Sequence, residues 1–411
     1  MDSVGGADRV AQHLRVLVCP HELIVGGSQI NAIDLAARMR DRGHTVRIYA
    51  PPGPLVQRIE GHGLPYRAAP PHKARALRVR ALFALAREIH RFAPDIVHTY
   101  ESSPAIASAA VSSISTHRSV ATMLSMDVPD FIPENVPLLV GTTALLHAQS
   151  ARSGPVQLLE PPVDTDYDSP RDAAAARADL NIAPDQFVVG VVGRLSKEHE
   201  KARGVIRAIQ RLDQSDLSSA VTLVVAGTGD EEAEVREAAA STRNPMLTVR
   251  VEGNVDDPRP IYAAADVIFG MGGSALRAMS HARPLIVQGA DGFWETLTPR
   301  SVDRFLMQGF FGNGPSGAAP FEQLVAELMR DQHQREVLGR FGRELVLTRF
   351  AIDQAARMLE ATYFEELRTP RSRREQAFAV SYALARYARF RVAVRLPLLR
   401  RLYRWASGRR G

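Results

Sequence analysis

Residues 14–49 read LRVLVCPHELIVGGSQINAIDLAARMRDRGHTVRIY. The opening run, LRVLVC, is apolar in the way of a strand buried on both faces of a parallel sheet. After the loop PHELIVGG, the apolar residues Ile30, Ile33, Leu35, Ala36 and Met39 keep helical spacing. Gly43 stands where a helix commonly closes on a left-handed glycine. TVRIY is then a second strand, and the whole stretch is one β-loop-α-β unit.

The pattern repeats outward from this unit. A helix is expected over 77–92, a strand over 95–99, a small-residue helix over 105–113 and a strand over 119–123. Residues 160–170, EPPVDTDYDSP, are rich in proline and aspartate and read as a hinge. A second alternating series follows, with strands at 187–192, 221–225, 247–251, 267–269 and 285–287 and helices at 204–212 and 231–241. Helical text covers 321–363. Such alternation predicts an α/β protein with two Rossmann-like, doubly wound parallel-sheet domains facing across a cleft. The expected boundaries are 1–165 for the first domain, 166–345 for the second, 346–370 for a helix returning to the first, and 371–411 for a basic amphipathic tail.

A chain of 411 residues has room for two full cores. A single cysteine, Cys19, excludes a disulfide within the chain and points to a reducing compartment. The first ten residues, MDSVGGADRV, lack the pattern of a signal peptide, and no uncharged apolar run approaches the ~20 residues of a membrane-spanning helix. The expectation is a cytoplasmic protein, at most peripheral on the inner face of the plasma membrane. The net charge of +6 conceals an asymmetry: residues 371–411 hold twelve arginines and one acid, Glu375, while the remainder is mildly acidic.

Three segments of the second half carry chemistry. VVGVVGRLSKEHEKARG (188–204) is a strand, a glycine turn and then Arg194, Lys197 and Lys201 before a helix, cations suited to a phosphate at the carboxyl end of a sheet. VVAGTGDEE (224–232) lacks the third glycine of a dinucleotide fingerprint and places acids where a pyrophosphate would lie, so it reads as a structural β-α turn. ADVIFGMGGSALRAMSHARPLIV (265–287) ends a strand in Gly272, Gly273 and Ser274 and opens a short helix, where backbone N–H groups and the helix dipole favour an anion. Arg277, three residues on, is placed to face the same anion. In the first half, Gly26, Gly27 and Ser28 open a helix and suit a phosphate or sugar hydroxyls. His98, with Glu101 close behind, His21, Glu22 and Asp127 all follow or end strands. A lone histidine at a strand end is more often structural than catalytic. No HExxH, P-loop or Cys/His cluster is present, so neither a metal nor a cofactor is expected.

These segments, in this order and spacing, resemble the retaining GT-B glycosyltransferases of family 4. The likeness runs through VGGSQINAIDLAARMRDRGHTV, DIVH, PPVDTD, VVGRLSKE, VVAGTGD, VRVEGNVDDPRPIYAAADV, LRAMSHARPLIV and GFWE, to about residue 368. The GMGGSALRAM stretch looks most like an actinobacterial branch. The resemblance implies a hexosyl transfer with retention from an NDP-sugar, UDP or GDP form, to an acceptor hydroxyl on a glycan, lipid or small molecule. Cell-envelope polysaccharide, glycolipid or secondary-metabolite biosynthesis is the setting it implies. Arg194 and Lys201, with Lys197 as rival, match the pair that grips the diphosphate. Gly272, Gly273 and Ser274 match the loop at the distal phosphate, Gly253 and Asn254 the contacts to the base, and Glu295 an acid downstream. His98, Gly26, Gly27, Ser28 and Asp127 fall on the acceptor side, with His98 a candidate catalytic group.

Two departures stand out. Where the family carries a glutamate for the ribose hydroxyls, this chain has Arg277, which cannot accept a hydrogen bond. The histidine common near the reaction centre is replaced by Ser125. A non-catalytic glycosyltransferase-like subunit, or another GT-B enzyme such as an epimerase or phosphorylase, is the alternative. In the tail, Leu398, Leu402 and Trp405 keep helical spacing apart from Arg400, Arg401 and Arg404. Upstream, Phe378, Tyr382, Leu384, Phe390 and Val394 intersperse with Arg386, Arg389, Arg391 and Arg395. This pattern suits an anionic membrane surface, against packing on the protein body; no nucleic acid is expected.

Overall fold

The computed structural model describes residues 13–70, 79–112, 115, 117–314, 317 and 319–395. Two compact units divide it. One gathers the described residues up to Gly141, Leu145–Pro161 and those from Ala355 onward; the other gathers Thr142–Ala144 and Pro162–Gln354.

The first unit is built on seven parallel strands: β1 (Arg15–Pro20), β2 (Thr45–Ala50), β3 (Tyr66–Ala68), β4 (Ile96–Tyr100), β5 (Arg118–Met123), β6 (Leu138–Val140) and β7 (Val156–Leu158). Their order is β3-β2-β1-β4-β5-β6-β7. The chain steps outward from β1 to β3 and then crosses back to β4, so loops diverge between β1 and β4. A doubly wound sheet opens its ligand crevice at such a reversal. The helix Gly27–Asp41 behind β1 buries Ile33, Leu35, Ala36 and Met39 of the five residues whose spacing predicts it, with Ile30 half-buried.

Two C-terminal helices complete this unit. Ile352–Arg368 buries Tyr363, and its Thr362 hydroxyl donates to Gln157 Oε1 at 2.8 Å. Arg373–Arg395 buries Val380, Ala383 and Ala393, and Tyr387 and Phe390 each bring a ring to 5.2 Å from that of Phe131. Arg389 reaches Asp130 at 3.0 Å and Arg386 reaches Glu134 at 3.6 Å. One face of this part of the tail therefore packs on the protein body. Leu398, Arg400, Arg401, Leu402, Arg404 and Trp405 lie outside the described residues.

The second unit has β8 (Phe187–Val192), β9 (Val221–Ala226), β10 (Leu247–Gly253), β11 (Val267–Gly270), β12 (Leu285–Gln288) and β13 (Trp294–Thr296). Their order is β10-β9-β8-β11-β12-β13, with only β13 antiparallel, and the reversal falls between β8 and β11. Val163, in the proline-rich stretch, is buried and bridges Ala351.

Candidate functional site

In the second unit the loops that leave β8, β9 and β10 are sewn together by their backbones. Gly193 N donates to Ala226 O at 2.9 Å, Leu195 N to Thr228 O at 2.9 Å and Gly227 N to Gly253 O at 2.8 Å. A Cβ on Gly227 would stand 1.8 Å from Gly193 O, and one on Gly229 would stand 1.9 Å from Leu195 O. These glycines exist because backbone meets backbone, which is the structural role the sequence assigns to VVAGTGD. Gly253 ends β10 at φ 72° with Asn254 exposed behind it, so the pair sits on the same shelf.

Arg194 is exposed on this shelf. Its charge and, more strongly, burial lower the pKa of Lys201, the first residue of the helix Lys201–Asp213. Lys197, between them in sequence, is exposed. Lys201 Nζ lies 4.0 Å from Glu198 Oε2. Just before the helix, His199 and Glu200 both take left-handed backbone, at φ 55° and 53°. Non-glycine residues hold such geometry only where surroundings enforce it. Here Gln288 Nε2 donates to Lys201 O at 3.1 Å, and Glu200 Oε2 accepts from Asp291 N at 3.0 Å and from Arg207 Nη1 at 3.2 Å.

Across the β8/β11 reversal, Gly272 takes φ 55°, ψ −128° and caps the helix Gly273–Ser280, which has no side-chain cap. Gly272 N donates to Phe310 O at 3.0 Å, so Gly272 supplies the turn and its amide is spent. The amides of Gly273 and Ser274 belong to the open first turn, where helix donors lack partners within the helix. Phe311 joins the two loops: its ring lies 4.8 Å from that of His199, and a Cβ on Gly272 would stand 3.1 Å from it. Phe311 thus ties a loop that carries cations to the start of a helix, two features that each suit an anion.

Arg277 stays beside the glycine loop, its Nη1 3.5 Å from Gly273 O, but its Nε also lies 3.3 Å from the buried carboxylate of Asp168. Its charge is thus shared with a protein anion. Glu295, on β13, is paired with Arg304.

In the first unit the reversal point gathers the loops after β1, β4 and β5. Gly26 caps the helix Gly27–Asp41, again without a side-chain cap, and a Cβ on Gly27 would meet nothing within 4 Å. Ser28 Oγ donates to Glu101 Oε1 at 2.9 Å; the same oxygen accepts from Leu124 N and Ser125 N at 3.1 and 3.2 Å. Ser125 Oγ donates to Glu101 Oε2 at 2.6 Å. Glu101 itself sits at φ 71°. Beside it, Gln29 donates to Glu22 at 3.0 Å, and His21 lies 3.4 Å from Glu22. Asp127 is exposed on the β5 loop.

His98 corrects the sequence reading. It is fully buried within β4, with Nδ1 at 2.7 Å from Tyr363 Oη and Nε2 at 2.7 Å from Thr122 Oγ1. Burial pushes its pKa down to about 3. Both nitrogens are engaged and the ring is neutral, so it is a structural residue with no access to substrate. Phe311, Gln288 and Asp168 stand in none of the chemistry-bearing motifs. Their roles arise from distant segments meeting, for which no local pattern exists. Glu101 was visible only as an acid after a strand.

Two family models match the chain: "Glycosyltransferase Family 4" over residues 25–133 and "Glycosyl transferases group 1" over residues 186–319. No curated protein matches. Among solved structures, a glycosyltransferase from Rickettsia africae is similar, at 15% identity and TM-score 0.67 over 87% of this chain and 100% of that one. HepE from Anabaena, solved with UDP-glucose, is similar at 17% identity and TM-score 0.67, covering 86% and 100%. So is the sucrose-phosphate synthase of Thermosynechococcus elongatus, at 16% and 0.64, covering 86% and 99%. The chain thus carries a Family 4 glycosyltransferase domain in its first half and a group 1 domain in its second, on two doubly wound sheets with the GT-B fold.

Proposed function

We propose that the protein transfers a hexosyl group from a nucleoside-diphosphate sugar to an acceptor hydroxyl with retention of configuration. The observation that supports this reading is the topology at the β8/β11 reversal, where the loop after β8 carries Arg194 and leads to Lys201 while the neighbouring β11 leads into the helix that begins with Gly273 and Ser274. In the reaction, the bond from the anomeric carbon to the diphosphate breaks and a bond to the acceptor oxygen forms. The acceptor proton passes to the departing diphosphate, so no protein base is required. Arg194 and Lys201 stabilise charge that grows on the leaving group, an effect commonly worth about 10²–10³ in rate per donor. Arg277, already engaged with Asp168, cannot accept from a ribose, and the open shelf at Gly253 and Asn254 is the remaining contact for the nucleoside.

UDP is the first nucleotide to try, because the similar HepE structure holds UDP-glucose. The purified chain is to be screened with UDP- and GDP-sugars for turnover, and the anomeric configuration of the product read by NMR. An inverted product ends the retaining assignment, and Arg194→Ala turning over at the wild-type rate ends the role given to Arg194.

The setting we favour is glycan or glycolipid assembly at an anionic membrane surface, reached through residues 371–411. Supporting this, the helix Arg373–Arg395 turns Phe378, Tyr382 and Val392 outward at 75%, 50% and 53% exposure, with the exposed Arg374 one turn before Phe378. Among the described residues no helix is long and apolar enough to cross a membrane.

A further inference from the structure

A second cavity lies in the first unit, away from the β1/β4 reversal. It has a volume of about 420 Å³ and opens at the carboxyl ends of β2 and β3, under the helix Val79–Phe92. Arg67, Arg87, Arg91, Glu88 and Tyr49 supply its polar lining, and Ala68, Ala69, Pro70 and Ala84 its apolar lining. Three observations set its chemistry. Arg87 and Arg91 are exposed, one turn apart on the helix, so their guanidinium groups share a face. Glu88, the lining's sole carboxylate, is buried and already bound, 2.8 Å from Arg47 and 3.9 Å from Arg67. Tyr49 is 7% exposed, and its hydroxyl has no hydrogen-bond partner among the described residues. An orphaned buried hydroxyl costs free energy unless something else satisfies it. Burial raises the pKa of that phenol, so it stands as a donor.

The cavity therefore presents three guanidinium groups and a phenol donor around one carboxylate that is already ion-paired. Guanidinium groups match a tetrahedral oxyanion bidentately. Its volume exceeds a bare phosphate and suits a small substituted one. We propose that this cavity binds a phosphomonoester, carried by the acceptor as a phosphorylated small molecule or as a lipid headgroup. The proposal takes its acceptor from the function proposed above, but its test measures binding and not turnover.

Phenyl phosphate is titrated calorimetrically into the full chain with UDP saturating, so that the diphosphate site is filled. Wild type, Tyr49→Phe and the double variant Arg87→Gln/Arg91→Gln are compared. Tyr49→Phe removes no charge and breaks no existing bond, so its melting temperature should match or exceed wild type. Binding about tenfold weaker in Tyr49→Phe and at least thirtyfold weaker in the double variant supports the site, and a soluble phosphorylated acceptor. In the second arm, vesicles of phosphatidylcholine with phosphatidic acid are compared with vesicles holding equal phosphatidylglycerol. Preference for phosphatidic acid that falls in both variants, with no phenyl phosphate bound, supports a headgroup. Folded variants that match wild type with both probes overturn the proposal.

Discussion

The hydroxyl of Ser125 donates to the carboxylate of Glu101 at 2.6 Å, and the amides of Leu124 and Ser125 turn to the same group. Ser28 reaches it from the first turn of the helix Gly27–Asp41, so one side chain, placed just after β4, fastens the start of that helix to the loop after β5. In Glu101→Gln, an amide NH₂ replaces one of the accepting oxygens. The expected result is kcat/KM for the acceptor falling about tenfold or more, as for loss of hydrogen bonds to a charged group. UDP affinity, which belongs to the second unit, should not change. Steady-state kinetics alongside UDP titration checks the split.

Glycine substitutions separate packing from ligand contact. Gly27→Ala meets nothing within 4 Å, so its stability should stay at or above wild type, and lost activity would report a ligand near that amide. Gly227→Ala drives a methyl to 1.8 Å from Gly193 O at φ 148°, and should unfold the protein or cost about 3 kcal/mol or more. Gly272→Ala lies between, losing both stability and UDP binding. Thermal melts with and without UDP distinguish the three.

Much of this was legible in advance. The long apolar strands, the β-α alternation and the two glycine-opened helices carry their own periodicity; the strand order that sets the two reversal points does not show in it. The short strands β3, β6 and β7 did not show. Each has three residues and follows a proline, Pro65, Pro137 or Pro155, whose carbonyl joins the ladder while its sequence reads as a turn. His98 looked reactive because a sequence records residue type and not depth.

Acid should destabilise the protein. His98 is pushed down to about 3 and His117 to about 4, both chiefly by burial. A histidine with a depressed folded pKa contributes stability above its unfolded value near ~6.5 and loses it as pH falls. Glu366, pushed up to about 7 by burial against the pull of Arg371, works in the opposite sense between about 4.5 and 7. Two protons taken up on unfolding against one released leave about one, or roughly 1.4 kcal/mol per pH unit near pH 5. Melting temperatures measured from pH 7 to pH 5 should decline; a flat or rising series would contradict the assignment.

Lys201→Ala and Arg194→Ala should each weaken UDP binding about tenfold or more, and each should flatten its dependence on salt, since charge-assisted contacts to phosphate are screened. Lys197→Ala should change UDP affinity less than twofold. Titration at two ionic strengths tests all three.

The tail is best probed by Phe378→Ala/Tyr382→Ala, which alters only outward rings. Deleting 371–411 would also strip the cover from Phe131 and so confound membrane binding with folding. Co-sedimentation with anionic vesicles should fall at least threefold in the double variant, as lost interfacial aromatic burial requires.

The return of the chain to the first unit sets an order of events. Tyr363 seals His98, Gln157 holds Thr362, and Glu360 is taken by Arg42 and His44, all across more than two hundred residues of intervening sequence. The second unit is nearly contiguous, from Pro162 to Gln354, and can close as soon as it leaves the ribosome. The first sheet, though synthesised earlier, waits for its last two helices with an apolar flank open. Half-made chains are therefore the aggregation-prone species, because the first sheet lacks its cover until residues 352–395 have been made.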